Sequence, residues 1–448
     1  MSTGHARSDP GNRLTTVTSG EEMRTRLAGL ALSSAVLTVL AGCGLSDTDS
    51  SDEQVTTTGE IKGTVTLQTW ALKPKFTDYM QGVIDGFEEK YPGTTVEWLD
   101  QPGEGYSEKV LSQAASGQLP DVTNLPPDFA LPLAEQGLLL DVDQADDKLR
   151  DEYVDGAVAS YEFAGQTGVY GYPWYLNTDV NYWNSELLSQ YGLDVTKLPT
   201  TVEELVAQAR IVKEKSDGKI HLMSRKPGVE DLTQAGVDIL SSDGKKFVFN
   251  TPEAVAVLDT YRDAFAEGLL PRNVLTDAYL GNMELFKKQQ VAWTTGGGNS
   301  INDIKVDNPT LAEKVVASPT IGTPPLYTQG LSVSKRSENL PTAIALARWV
   351  TSPENQAAFA EVVPGIFPST IASAEDPQFS VSDGSNVGDA KKIAFTSLAE
   401  AQMLKPVVVD QAMDDFIKQQ FSLAISGEIT SKEALDKAVD KCNELLND

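Results

Sequence analysis

From Gly63 to Asn124 apolar residues recur at every second position, then at helical spacing, then at every second position again. Few architectures accommodate that order. Val65 and Leu67 alternate with Thr64, Thr66 and Gln68, which is the period of a half-buried strand. Residues 76, 79, 80, 83, 84, 87 and 91 then fall on one helical face, and Pro92-Gly93 ends the run. A second strand is expected over 94–99, a helix over 106–116 closed by Gly117, and a third strand over 120–124. Strands separated by helices predict an α/β sheet with mostly parallel neighbours. At 448 residues the chain has room for two or three domains. Further on, Thr201 with Glu204 and Thr430 with Glu433 form capping boxes. Thr251-Pro252 opens another helix, which Gly268 ends, and Ser352-Pro353-Glu354 caps one more. Residues 290–295 read as a strand running into Gly296, Gly297 and Gly298. The polar stretch 373–388 reads as a long surface loop, and no internal repeat is evident.

Between Gly165 and Asn184 the aromatic density is unusual. A short strand, 169–172, meets Pro173, which is expected to stop it. Trp174 and Tyr175 follow, and then Tyr182 and Trp183. One strand face cannot bury so many rings. A buried cluster is the ordinary use of aromatics. A ring facing a cleft is the alternative, since an aromatic plane suits the C–H face of a sugar. For Trp174 and Tyr175, just past the proline, the ligand role is expected.

The amino-terminal stretch carries a targeting pattern. Arg24 and Arg26 precede the apolar run 27–40, which ends in Leu40-Ala-Gly-Cys43. A basic flank, a short apolar core and small residues at its end make an export signal, too short to span a bilayer. Residues 1–42 are therefore expected to be a signal peptide, with Met23 a second candidate start. Leu-Ala-Gly-Cys resembles a bacterial lipoprotein signal, which implies cleavage before Cys43 and a lipid on its sulfur. Residues 43–60 are Ser, Asp, Thr and Glu with little that is apolar, the composition of a tether. The only other cysteine, Cys442, lies on an apolar helical face and reads as a buried thiol. A formal net charge of −28 argues against nucleic acid or anionic lipid headgroups as partners.

Five stretches, in order, resemble the extracellular solute-binding proteins of ABC importers, in the carbohydrate-binding group that includes maltose-binding protein. They are the strand ending at Trp70 with Phe87-Glu-Glu-Lys-Tyr-Pro-Gly93; Ser116-Gly-Gln-Leu-Pro-Asp-Val122 with residues 133–141; Gly171-Tyr-Pro-Trp-Tyr-Leu-Asn177 with Tyr182-Trp-Asn184 and residues 198–205; Gln329-Gly-Leu-Ser-Val-Ser334 with residues 343–356; and Gly365-Ile-Phe-Pro368. The resemblance implies a two-lobed periplasmic-binding-protein type II fold of class α/β. Residues 61–172 plus 319–365 would form the first lobe, and 173–318 plus 366–448 the second. The chain would cross between them near Tyr172–Pro173, Ala317–Pro319 and Gly365–Pro368.

The resemblance also implies a small-molecule carbohydrate ligand between the lobes, ABC permease subunits as partners, a monomer, no cofactor and no metal. It points to Trp70, Lys73, Asn124, Asp128 and Phe129 on the first lobe as ligand contacts. Trp174, Tyr175, Asp231, Gly297, Gly298, Asn299 and Phe367 are the corresponding expectations elsewhere. Asn299 stands where an aromatic often follows the glycines, which departs from the pattern of a maltodextrin binder.

Two other readings stand beside this one. A surface glycosidase needs two carboxylates at a set separation, and nothing in the sequence marks such a pair. With His5 ahead of the signal, His221 alone remains for a His-based site. A non-sugar ligand, such as a polyamine, phosphate ester or metal, is the second alternative. Gly296–Gly298 lack the Gly-Lys-Ser/Thr of a nucleotide loop. Asp141 to Asp146 with Glu152 have a faint calcium-loop spacing without the glycine at its sixth position.

Overall fold

The structure, a computed structural model, describes residues 56–276 and 279–446. The signal segment, Cys43 and most of the tether lie outside the described residues. The strands are β1 (Gly63–Trp70), β2 (Thr94–Gln101), β3 (Val122–Leu125), β4 (Tyr172–Asn177), β5 (Asp179–Asn184), β6 (Trp293–Gly297), β7 (Val315–Ser318), β8 (Tyr327–Val333) and β9 (Phe367–Pro368). A six-stranded sheet has the order β2-β1-β3-β8-β4-β9, and a three-stranded sheet the order β6-β5-β7. Each sheet is the centre of one lobe.

The first three strands form as the periodicity requires. The helix Thr77–Lys90 lies between β1 and β2 and buries Met80, Val83, Ile84 and Phe87. Each such side chain contributes about 1.5–3 kcal/mol on burial. β1 pairs in parallel with both β2 and β3. The expectation of mostly parallel neighbours fails beyond them. β8 is antiparallel to β3 and β4, β9 is antiparallel to β4, and both pairings in the second sheet are antiparallel. The cause is the crossing between lobes. β4 and β8 leave or enter the first sheet from the second, so their directions are not set by a strand–helix–strand connection.

Pro173 does not stop a strand; it lies inside β4, opposite Gly330, where the register shifts between Pro173 and Tyr175. A bulge is where a residue without an N–H is tolerated in a sheet. The Pro173 carbonyl accepts from the Ser369 hydroxyl at 2.8 Å and from Gln356 Nε2 at 3.3 Å. The first crossing is therefore not at Tyr172–Pro173. β4 stays in the first sheet to Asn177, Thr178 is the link, and Asp179 opens β5. The second crossing runs over 319–326, between β7 and β8. The third also lies later than Gly365–Pro368. β9 pairs with β4, and Thr370 bridges to Tyr153, so this segment stays with the first lobe. The chain reaches the second sheet with the helix Asn386–Ser397, which rests on β5 and β7. The polar stretch 373–388 is also not a loop throughout. Asp376 caps the helix Pro377–Ser380, and Ser385 caps Asn386–Ser397. Its polar residues serve in part as caps.

In the second lobe, Thr201, Thr251 and Thr430 accept from backbone N–H groups at the starts of Val202–Ser216, Pro252–Ala266 and Ser431–Leu445. Gly427 ends Gln411–Ser426 at φ +84°, a conformation that favours glycine. Cys442 is a buried free thiol, and burial pushes its pKa up to about 11. Apolar packing runs from one lobe to the other through Phe367, Phe379 and Phe395, whose ring centroids lie 5.5–6.0 Å apart. The spacing that hinted at calcium is structural. Asp141 caps a turn, Arg150 holds Asp143, and Arg348 holds Asp146 and Glu152. Among the described residues no group of three His, Cys, Asp or Glu is placed to hold a metal ion.

Candidate functional site

Parallel strands present their carboxyl ends on one edge, where an open sheet offers a crevice. In the first lobe that edge carries Trp70 at the end of β1 and the helix Pro127–Glu135 just after β3. Trp70 stacks on Tyr106 at 5.7 Å, and Tyr106 lies 6.3 Å from Phe129. The Tyr106 hydroxyl donates to the Asn124 carbonyl at 2.9 Å, fixing this row of rings to β3. In the second lobe the matching edge carries Asp179 at the start of β5, Gly297 at the end of β6 and Ser318 at the end of β7.

Two cavities meet beside the crossings. The outer chamber, about 320 Å³, is lined by Asp128, Glu230, Tyr327, Gln329 and Lys405, among others. The inner chamber, about 440 Å³, lies against the second lobe and includes Asp179, Arg225, Glu230, Asp231, Tyr279, Asn282, Thr320 and Tyr327. Both are in the size range of small-molecule sites. Glu230, Pro325, Tyr327 and Leu404 belong to both walls. Tyr327 is the first residue of β8, pairs with Asn177, and is 52% exposed, unusual for a large ring. Its hydroxyl donates to Asp179 Oδ2 at 3.4 Å, across the change of sheet.

The electrostatics suit neutral polar groups. Burial pushes the Asp179 carboxyl up, against the Tyr327 hydroxyl and the Arg225 charge. Asp128 faces the outer chamber in the first turn of its helix. Desolvation by its surroundings raises its pKa, against its local backbone N–H groups and Lys405. Asn282 accepts at Oδ1 from Ser224, which also meets the Tyr279 hydroxyl at 3.2 Å. That leaves Asn282 Nδ2 a buried donor without a protein partner, and the Thr320 hydroxyl is in the same position. Buried donors and acceptors of this kind are ordinarily satisfied, so a polar ligand is the natural complement.

The expected site residues divide. Asp128 and Asp231 line chambers. Trp70 and Phe129 sit on the first-lobe edge. Gly297 pairs with Asp179, and its carbonyl accepts from the Tyr182 hydroxyl at 2.6 Å. The others have structural work. Trp174 is 0% exposed and stacks on Phe359 at 4.9 Å with 9° between the planes, so it is core and not a platform. Tyr175 is half-buried against the same two rings. Phe367 is fully buried in β9. Asn124 Nδ2 donates to the Gly330 carbonyl at 3.0 Å, tying β3 to β8. Lys73 is drawn back over the Trp98 ring at 4.1 Å. A Cβ on Gly298 would meet Ala394 at 2.8 Å, so that glycine serves helix packing. Asn299 abuts Gly365, just ahead of β9. Tyr327, Asp179, Arg225, Asn282 and Thr320 carry no mark in the sequence. Asp179 and Tyr327 are each the first strand residue past a crossing, and the first crossing lies later than the sequence places it.

The family model of the bacterial extracellular solute-binding proteins matches residues 73–357. A solved protein of Synechococcus sp. MITs9220, provisionally assigned as an oligosaccharide periplasmic-binding protein, superposes with a TM-score of 0.76 at 27% identity, covering 86% of this chain and 99% of its own. The GacH receptor of Streptomyces glaucescens, solved unliganded and in complex with acarbose and an acarbose homolog, gives a TM-score of 0.66 at 23% identity over 87% of this chain and 100% of its own. A provisionally named binding protein of Brucella abortus is 22% identical over 362 residues, 78% of this chain and 84% of that one.

Proposed function

Because the chain belongs to the bacterial extracellular solute-binding proteins, we propose that it is a receptor that captures a sugar or oligosaccharide between its lobes. One observation carries the reading. Tyr327, a half-exposed ring, stands where two chambers of mixed apolar and polar lining meet, with Asp179 and Glu230 in their walls. A pyranose offers an apolar face for the ring and hydroxyls that donate to carboxylates and accept from amides. Tyr327 and Gln329 come from the first sheet, and Asp179, Arg225 and Asn282 from the second lobe, so a ligand touching both groups favours the closed arrangement. The closed form is what an ABC permease would read.

Binding is the activity, not catalysis. Anchoring is through a lipid on Cys43, with residues 44–60 as the tether, at the outer face of a bacterial membrane, and the receptor works as a monomer. The support is the sequence pattern at Leu40–Cys43, and among the described residues no helix is long and apolar enough to cross a membrane. The likeness to the Synechococcus protein supports an oligosaccharide as the ligand class. The test is a thermal-shift screen against mono- and oligosaccharides, polyamines, phosphate esters and divalent metals. A ligand that binds only the folded state raises the melting temperature with concentration. A shift with one saccharide class is expected. A shift with only the charged compounds would overturn the sugar assignment.

A further inference from the structure

An ion pair in the wall of the inner chamber has one accessible member and one hidden member. The Arg225 side chain is 34% exposed and lines the chamber, whereas that of Asp231 is 6% exposed. The Asp231 carboxylate is fully engaged. Its Oδ1 accepts from Arg225 Nη2 and from the Tyr261 hydroxyl at 3.2 Å, and its Oδ2 accepts from the Gly228 N–H at 2.8 Å. Tyr261 is itself buried, so the carboxylate cannot turn away. A guanidinium carries five donors in a rigid fork, and one bonded to Asp231 keeps others for a ligand. Burial works against the Arg225 charge, but Asp231 outweighs it, and the net shift is upward. Asp179 and Glu230 in the same walls, with Lys226 and Lys418, leave the chamber without a dominant sign.

We propose that Asp231 is a positioning residue that holds Arg225 as a donor to sugar oxygens and cancels its charge, so that the receptor prefers uncharged saccharides to those bearing a carboxylate. This rests on the sugar-receptor reading. A hidden counter-charge lets the chamber keep a strong, directional donor without becoming an anion site. Removing only that counter-charge should therefore change which ligands are preferred, not merely how tightly they bind.

The experiment compares the neutral oligosaccharide giving the largest shift in the screen with its C6-oxidised, glucuronate-containing form. Calorimetric titrations use the wild type, Asp231→Asn, Arg225→Gln and the double variant. The wild type is expected to favour the neutral ligand. In Asp231→Asn the ratio of the two affinities should move toward the anionic ligand by about tenfold or more, and the gain should fade at high salt. Arg225→Gln and the double variant should weaken the neutral ligand without any gain for the anionic one. If Asp231→Asn leaves the ratio unchanged, or loses both ligands equally while its unliganded melting temperature falls, Asp231 is only structural and the inference is overturned. If the wild type binds no saccharide, the receptor reading fails first, and the inference with it.

Discussion

Replacing Trp174 by Ala separates the two roles that an exposed or a buried indole would have. The ring is fully buried and lies between Phe359 and Tyr175, at centroid distances of 4.9 and 5.4 Å. Truncating a buried Trp costs about 3–5 kcal/mol, because transfer energy is lost and a cavity remains. An unfolding entropy of about 2.1 cal/mol/K per residue over roughly 390 folded residues gives about 0.8 kcal/mol/K. The expected fall in Tm is therefore about 4–6 °C, read by circular dichroism without ligand. Well below the melt, affinity for the identified saccharide should stay within about threefold of wild type. Tyr327→Ala should do the reverse. Its ring is half-exposed, so Tm should fall by no more than about 1–2 °C, since little burial is lost. Losing its stacking and contact area should cost about 2 kcal/mol of binding, or about thirtyfold in Kd. If Trp174→Ala kept its Tm and lost the ligand, the indole would be a platform, and the assignment of Trp174 to the core would be wrong.

Two further outcomes follow from close packing and from one imidazole. A Cβ on Gly330 would stand 2.4 Å from Tyr161 Oη and 2.6 Å from Cζ, while that hydroxyl donates to the Leu125 carbonyl at 2.6 Å. Gly330→Ala must displace a buried ring and break its bond, so chemical denaturation should show a loss of about 3 kcal/mol; a loss under about 0.5 kcal/mol would show that the ring yields freely. His221, with Nδ1 3.2 Å from the Leu269 carbonyl, has its pKa lowered chiefly by burial, and by Lys213, with the carbonyl opposing. The folded state then binds fewer protons than the unfolded one between the lowered value and 6.5. Stability rises with pH through that window and is lost as pH falls through it. His221→Gln should flatten this part of the Tm–pH curve, and a wild-type and variant pair with parallel curves would contradict it.

Much of the fold could be read from local rules. β1, β2 and β3 and the helices between them follow from apolar periodicity. Thr201, Thr251, Thr430 and Gly427 mark helix ends because capping is chemistry among near neighbours in sequence. What could not be read depends on distant partners. Pro173 belongs in a strand because β8 brings Gly330 opposite it and Ser369 bonds its carbonyl. Trp174 is core because Phe359, far along the chain, covers its face. The candidate site shows the same division. Asp128 and Asp231 were reachable by position, but the Asp231 carboxylate is spent on Arg225, Tyr261 and Gly228, and only Gly228, at the cap three residues back, is a partner that a spacing rule pairs with it. Tyr327 and Asp179 meet only because two crossings lie side by side.

The most direct test of the central claim is a calorimetric titration of the folded receptor with the saccharide that shifts its melt most, repeated on Tyr327→Ala. Saturable one-to-one binding by the wild type, about thirtyfold weaker in the variant, is the predicted result. Equal affinity in the two proteins, or heat only from polyamines, phosphate esters or metal ions, would contradict a sugar site built around Tyr327.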